Sequence, residues 1–165
     1  MNKKLLLVLF MFLYLGHLYD VVAQVIYNPS FERTAYEVIH PHIDKVEMKQ
    51  DVINIHCSLY YDDSWGYNIP KTMYLEDVRN NKRYQIVSCE GLPFEPEERL
   101  FSTGGTFQFV FSFPYVKGLE TFNLVENSAD KRFSERFFDF YGVSLLKSNN
   151  INYEEHEYKR FQRMS

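Results

Sequence analysis

The 165-residue chain has few of the residues that break or cross-link a fold, with 7 Gly, 6 Pro and 2 Cys. Low glycine and proline exclude collagen-like and disordered chains. The formal net charge is −4 and the basic residues are dispersed, so nothing indicates a clustered basic face for nucleic acid. A Gly-rich phosphate loop and a nucleophile elbow are both missing from the sequence. We therefore expect no nucleic-acid partner, no cofactor and no enzymatic activity.

Aromatic residues are abundant, with 13 Tyr, 15 Phe and 1 Trp, and they favour a β-rich globular protein. The length fits one domain, since a single core is typical at about 100–200 residues. Seven segments alternate apolar and polar residues with period two, as half-buried strands do. They span 43–48, 52–61, 72–79, 82–87, 106–113, 120–125 and 137–146. The pattern predicts an all-β fold, an antiparallel seven-stranded β-sandwich of immunoglobulin-like type over residues 24–146.

Several details of this sandwich follow from local sequence. Asn80-Asn81 predicts a two-residue hairpin turn between the third and fourth strands, because Asn tolerates positive φ. Four phenylalanines alternate along 106–113, which predicts a strand at the centre of the core. Both faces of 137–146 carry apolar groups, so this strand is expected to be buried on both sides. The stretches 62–70 and 92–101 fit no strand and are predicted to be long loops.

The N-terminus has the three parts of a secretory signal peptide. Lys3 and Lys4 precede an apolar run over 5–15, and a small-residue site ends at Ala23. An uncleaved membrane anchor is the alternative, but a span needs roughly 20 apolar residues and Asp20 interrupts the run. We expect cleavage near Ala23, so residues 1–23 are the signal peptide. The mature chain is then soluble and periplasmic or extracellular, with membrane contact only through the signal peptide before cleavage.

Export would place Cys57 and Cys89 in an oxidising compartment, where a disulfide can persist. The alternative is that both side chains are small buried hydrophobes, and Cys57 is in phase with inward-facing neighbours. Their spacing is not CxxC, which excludes dithiol redox catalysis and a zinc ribbon.

The last segment, 147–165, changes character. Acids at 154, 155 and 157 precede bases at 159, 160 and 163, an order that complements a helix dipole. The segment is predicted to be a helical or flexible tail, which docks on the domain, stays loose or meets a partner.

Two aromatic or histidine-rich regions are candidate sites. His42, Asp44 and His56 would lie on one strand face if His56 stands opposite Ile43, and such a set can hold Zn²⁺ in a metal-dependent hydrolase. We favour the interpretation that these are ordinary polar residues on a strand that is exposed on one side, so we predict no metal.

The second candidate is the aromatic loop at 60–67. Tyr60, Trp65 and Tyr67 offer flat rings beside two carboxylates, an arrangement suited to sugars or other small ligands. The competing interpretation is that Trp65 plugs the end of the sandwich.

A set of short motifs runs along the chain in a fixed order: IYNPSFE at 26–32, the Trp65 loop with IPK at 69–71 and YL at 74–75, EG at 90–91, FP at 113–114 before KG at 117–118, and FYGVSL at 140–145. Together these motifs resemble the β-sandwich module at the N-terminus of secreted bacterial thioredoxin-like (TlpA-type) proteins. The resemblance covers roughly 24–146 and implies the fold and an envelope location, without catalytic residues. This chain has no CxxC, and we expect no thioredoxin domain in it. The leading hypothesis is therefore an exported non-catalytic module that interacts with an unknown protein or envelope surface, with carbohydrate or small-ligand binding as the alternative.

Overall fold

The computed structural model describes residues 24–34, 40–61, 65–101, 105–126 and 139–148. The predicted signal peptide and the predicted tail beyond residue 148 lie outside these ranges. Within them, no helix has the length and apolarity to cross a bilayer. The described residues form an all-β fold, which confirms the predicted class.

Thirteen strand segments are found in the described ranges, and all their ladders are antiparallel. In chain order they are β1 (Gln24–Tyr27), β2 (Pro29–Ser30), β3 (Arg33–Thr34), β4 (His40–Met48), β5 (Val52–Tyr61), β6 (Trp65–Tyr67), β7 (Tyr74–Asp77), β8 (Lys82–Gln85), β9 (Ser88–Glu90), β10 (Arg99–Phe101), β11 (Gly105–Pro114), β12 (Thr121–Val125) and β13 (Phe140–Ser148). All seven predicted strands are present as β4, β5, β7, β8, β11, β12 and β13. The count of seven was too low, because segments of two to four residues such as β1, β2 and β9 are too short to show a period.

The strands are arranged in three sheets. A five-stranded sheet has the order β1-β4-β5-β11-β9, and a six-stranded sheet has the order β2-β13-β12-β7-β8 with β3 also on β13. Buried side chains from both sheets belong to one hydrophobic cluster. The third sheet is the β10-β6 pair.

Strand β11 lies at the centre of the core, as its phenylalanine pattern predicts. It pairs with β5 along its whole length and with β9 on its other side. Phe111 and Phe113 are fully buried and Phe109 nearly so, while Phe107 packs at the margin of the cluster. These rings pack on the core side of the five-stranded sheet. The opposite side of the sheet therefore faces outward.

The predicted hairpin between β7 and β8 is confirmed, but its turn is longer than expected. Asp77 pairs with Lys82, so four residues connect the strands, and Asn81 has a φ of 51°. The buried Asp77 carboxylate accepts hydrogen bonds from the backbone N–H groups of Arg79 and Asn80 at 3.0 and 3.2 Å. These bonds close the wider turn.

Strand β13 is not buried on both sides, so that prediction was wrong. The register against β12 shifts between Phe122 and Leu124, and Gly142 sits there at a φ of 66°. This bulge changes the phase, so that Phe140 and Val143 both face the core. Apolar groups that seemed to alternate between two faces therefore share one.

The two predicted loops pair with each other. Leu100 of β10 stands opposite Gly66 of β6, and Ile69 forms a bridge with Phe94. Each segment alone is too short to show alternation, and its partner is some 30 residues away in sequence, so the prediction of two loops was wrong.

Both cysteines are free thiols. Cys57 pairs with Phe109 on one side of β11, and Cys89 pairs with Phe111 on the other. Two strand spacings separate them by at least about 10 Å, whereas a disulfide needs Cα atoms within about 7 Å. The alternative is the correct one: both side chains pack as small hydrophobes, which raises the pKa of Cys57 well above its usual value and that of Cys89 to about 11.

Candidate binding face on the five-stranded sheet

The outward side of the five-stranded sheet carries a continuous polar surface, which we call the outer face. Because side chains alternate along a strand, the core residues of β4, β5 and β11 leave their neighbours pointing outward. One row crosses all five strands in register. It consists of Tyr27, Lys45, His56, Val110 and Glu90.

A groove of about 550 Å³ lies along this row. It is lined by Tyr27, Asp44, Lys45, His56, Cys57, Glu90, Gly91, Gln108, Phe109 and Val110. Cys57 and Phe109 point into the core, so they form the floor between outward side chains. Tyr27 stands at one end with 62% of its surface exposed, and Glu90 stands at the other. The groove therefore combines an exposed ring with hydrogen-bond donors, acceptors and charges.

Glu47 is the centre of an ion-pair network beside the groove. Its carboxylate lies 2.6 Å from Lys45 Nζ, 3.3 Å from Lys49 Nζ and 3.2 Å from His56 Nε2. The hydrogen bond from Lys45 is the main reason why the pKa of Glu47 falls from 4.5 to about 2, and the same bond raises the pKa of Lys45. His56 Nε2 is shielded from water, yet its contact with Glu47 is not aligned as a hydrogen bond. The network holds Lys45 and His56 in fixed positions at the rim of the groove.

Asp44 occupies a β-bulge next to this network. The register between β4 and β5 shifts between Ile43 and Lys45, which leaves Asp44 as the extra residue. Its Oδ1 accepts a hydrogen bond from Ser58 Oγ at 2.9 Å and lies 2.9 Å from His42 Nδ1. The arrangement fixes the Asp44 carboxylate at the groove.

The bulge also changes which residues the predicted metal candidates contact. His56 stands opposite Lys45, not opposite Ile43 as the sequence suggested. His42 and Asp44 contact each other, whereas His56 contacts Glu47. Within the described part of the chain, no group of three or more His, Cys, Asp and Glu side chains is placed to hold a metal ion.

The structure separates the three residues of the predicted aromatic site. Tyr67 is only 8% exposed, and its ring packs edge-on against Phe101 with centroids 5.7 Å apart. Pairing of β6 with β10 draws Tyr67 into the core, which leaves little of its ring accessible to a ligand. The backbone of Trp65 pairs with Phe101, but its side chain lies outside the described residues, as do residues 62–64. Tyr60, on β5, is exposed.

Sequence reasoning missed four residues at or beside the groove: Tyr27, Glu47, Glu90 and Gln108. Each occupies an outward position of a strand, so alternation could have placed it on the outer face. Bringing them together required the cross-strand register, which the bulge at Asp44 shifts. No protein-family model, characterised protein or solved structure is similar enough to this chain to count as a match.

Proposed function

We propose that the chain is an exported, non-catalytic β-sandwich module of immunoglobulin-like type, which interacts with a protein or a surface in the cell envelope through its outer face. The observation that carries this proposal is the groove of about 550 Å³ across the five-stranded sheet. Two of its charged side chains, Asp44 and Lys45, are held by contacts to their neighbours before any ligand arrives. Such preorganisation lowers the entropy that binding costs.

Export is supported by the N-terminal sequence and by the motifs shared with secreted thioredoxin-like proteins. Strand β1, Gln24–Tyr27, lies after the expected cleavage site. Cleavage there would leave β1 whole, including Tyr27 at the end of the groove. The proposed location and the proposed binding face are therefore compatible.

The use of the outer face for binding is supported by its exposed apolar groups. Val25 and Tyr27 on β1 are 37% and 62% exposed, and Tyr60 on β5 is 53% exposed. All three stand among fixed polar groups on one side of one sheet. Exposed rings beside satisfied polar groups are typical of protein interfaces, where Tyr is enriched.

Carbohydrate or small-ligand binding remains the second candidate. The groove volume falls within the roughly 300–1,000 Å³ of small-molecule sites. The groove replaces the aromatic loop as the location, because Tyr67 is buried. If the groove binds a sugar or another small ligand, the exposed ring of Tyr27 stacks against that ligand.

Site-specific photo-crosslinking tests the proposal in the cells that produce the protein. A photoreactive residue at position 27 would report on the groove, and one at Val78, which is 47% exposed in the turn after β7, would serve as the matched control. We expect a discrete crosslinked product in the envelope fraction from position 27 and none from position 78. Equal products from both positions, or none from either, would contradict a dedicated binding face.

A further inference from the structure

We propose that the groove on the outer face binds an extended basic segment of a partner protein, with one cationic side chain at Asp44 and another at Glu90. This inference rests on the proposed function, since it names the chemistry of the partner at the same face. It is carried by the charge that the groove leaves uncompensated and by the distance between its two carboxylates.

The charge of the groove is negative once its own ion pairs are taken into account. Lys45 and Lys49 share the Glu47 carboxylate at 2.6 and 3.3 Å, so these three groups carry one positive charge against the two negative charges of Asp44 and Glu90. Glu90 is exposed, and among the described residues no Lys, Arg or His nitrogen forms an ion pair with it. Asp44 Oδ1 accepts a hydrogen bond from Ser58 Oγ and lies 2.9 Å from His42 Nδ1, and among the described residues no lysine or arginine pairs with it. The groove would therefore attract a partner with cationic groups and repel an anionic partner.

The spacing of the two carboxylates fits an extended chain. Asp44 lies on β4 and Glu90 on β9, with β5 and β11 between them. Three strand spacings of about 4.8 Å separate them by about 14 Å. In an extended segment, side chains at i and i+4 share one face and are about 13–14 Å apart. A segment with Lys or Arg at these positions would reach both carboxylates.

The rest of the groove also suits such a segment. The side chain at i+2 would lie about 7 Å from Asp44, between His56 and Val110 of the two central strands. Tyr27 extends the groove beyond Asp44, and its exposed ring can contact the aliphatic stem or the charge of a basic side chain. The groove thus has a carboxylate at Asp44 and another at Glu90, with His56 and the apolar Val110 between them.

Binding of short blocked peptides to the purified, exported chain tests the inference. The probe has Arg at positions 2 and 6, Val at position 4 and Ser elsewhere. One comparison peptide has Glu in place of both Arg, and another has its two Arg adjacent. We expect the probe to bind most tightly by calorimetry, and to bind more weakly as salt is raised.

Charge-neutralising variants locate the binding. Glu90→Gln is expected to weaken the probe about two- to fivefold, the range of exposed ion pairs. Glu120→Gln makes the same charge change at an exposed carboxylate beside β12 of the other sheet and should leave affinity unchanged. Equal affinity of the spaced and adjacent Arg peptides, or an unchanged affinity in Glu90→Gln, would overturn the inference.

The remaining outcomes separate this inference from the proposed function. Tighter binding of the acidic peptide, or of a neutral oligosaccharide, would overturn the basic segment while leaving the face as a binding surface. If no peptide binds but position 27 still crosslinks a partner in cells, the ligand chemistry is wrong and the function stands. If neither is seen, both fail.

Discussion

Replacement of Glu47 by Gln is the sharpest test of the network that shapes the outer face. The substitution keeps the size of the side chain, removes its charge and replaces one acceptor oxygen with an amide donor. Glu47 contacts Lys45, Lys49 and His56 within 3.3 Å, and 15% of its side chain is exposed. The variant therefore removes the common partner of three groups without opening a cavity.

The expected loss can be worked out from the pKa of Glu47, which folding lowers from 4.5 to about 2. At about 1.36 kcal/mol for each tenfold change, this corresponds to an upper limit of roughly 3 kcal/mol. Both lysines are partly open to solvent, which screens their attraction, so we expect about 1–2 kcal/mol. Because the pKa is depressed in the folded state, this stabilisation is present above about pH 4.5 and is lost as the pH falls through about 2.

Urea unfolding at pH 7 and at pH 3 measures this effect. The wild-type protein should lose more stability between these two pH values than Glu47→Gln, by about 1 kcal/mol. Glu120→Gln, on an exposed carboxylate beside β12, is the control and should follow the wild type. If Glu47→Gln matches the wild type at both pH values, the network does not hold the outer face as described.

Three other predictions concern the core, a turn and the thiols. Phe111→Ala should lower the free energy of unfolding by about 3–5 kcal/mol, because the ring is fully buried; a loss under about 1 kcal/mol would exclude β11 as the centre of the core. Asn81→Ala should cost about 1 kcal/mol in the same urea assay, because φ is 51° there, whereas Asn81→Gly should be nearly neutral; equal losses would argue against the turn. Unfolding without reductant should expose two reactive thiols per chain, Cys57 and Cys89, and finding none would show that they are bridged.

Local patterns in the sequence predicted much of the fold. Strands β5 and β11 were found within one residue of their bounds, because each is long enough for its alternation to be unmistakable. Asn81 identified the β7–β8 turn, because few residue types accept its backbone conformation. Where the determining contact is distant in sequence, as between β6 and β10, no local pattern exists to detect it.

The candidate site was harder to predict, because it depends on register. The sequence identified His42, Asp44 and His56 as outward-facing, and they do line or border the outer face. It missed the bulge at Asp44, which directs His56 toward Glu47. A bulge shifts the alternation by one residue, and here two polar residues instead of one separate the apolar Ile43 and Val46; this signal is local and short, whereas the pairing with β5 shows the bulge directly.

The most direct test of the outer face as a binding surface is to crosslink from position 27 in a variant whose groove is filled by a larger side chain. Val110→Trp would place a large ring in the middle of the groove on a central strand, where aromatic residues are well tolerated. If the groove holds the partner, the product seen from position 27 should fall severalfold in this variant while its thermal unfolding stays unchanged. A product of undiminished yield in the filled variant would contradict binding in the groove.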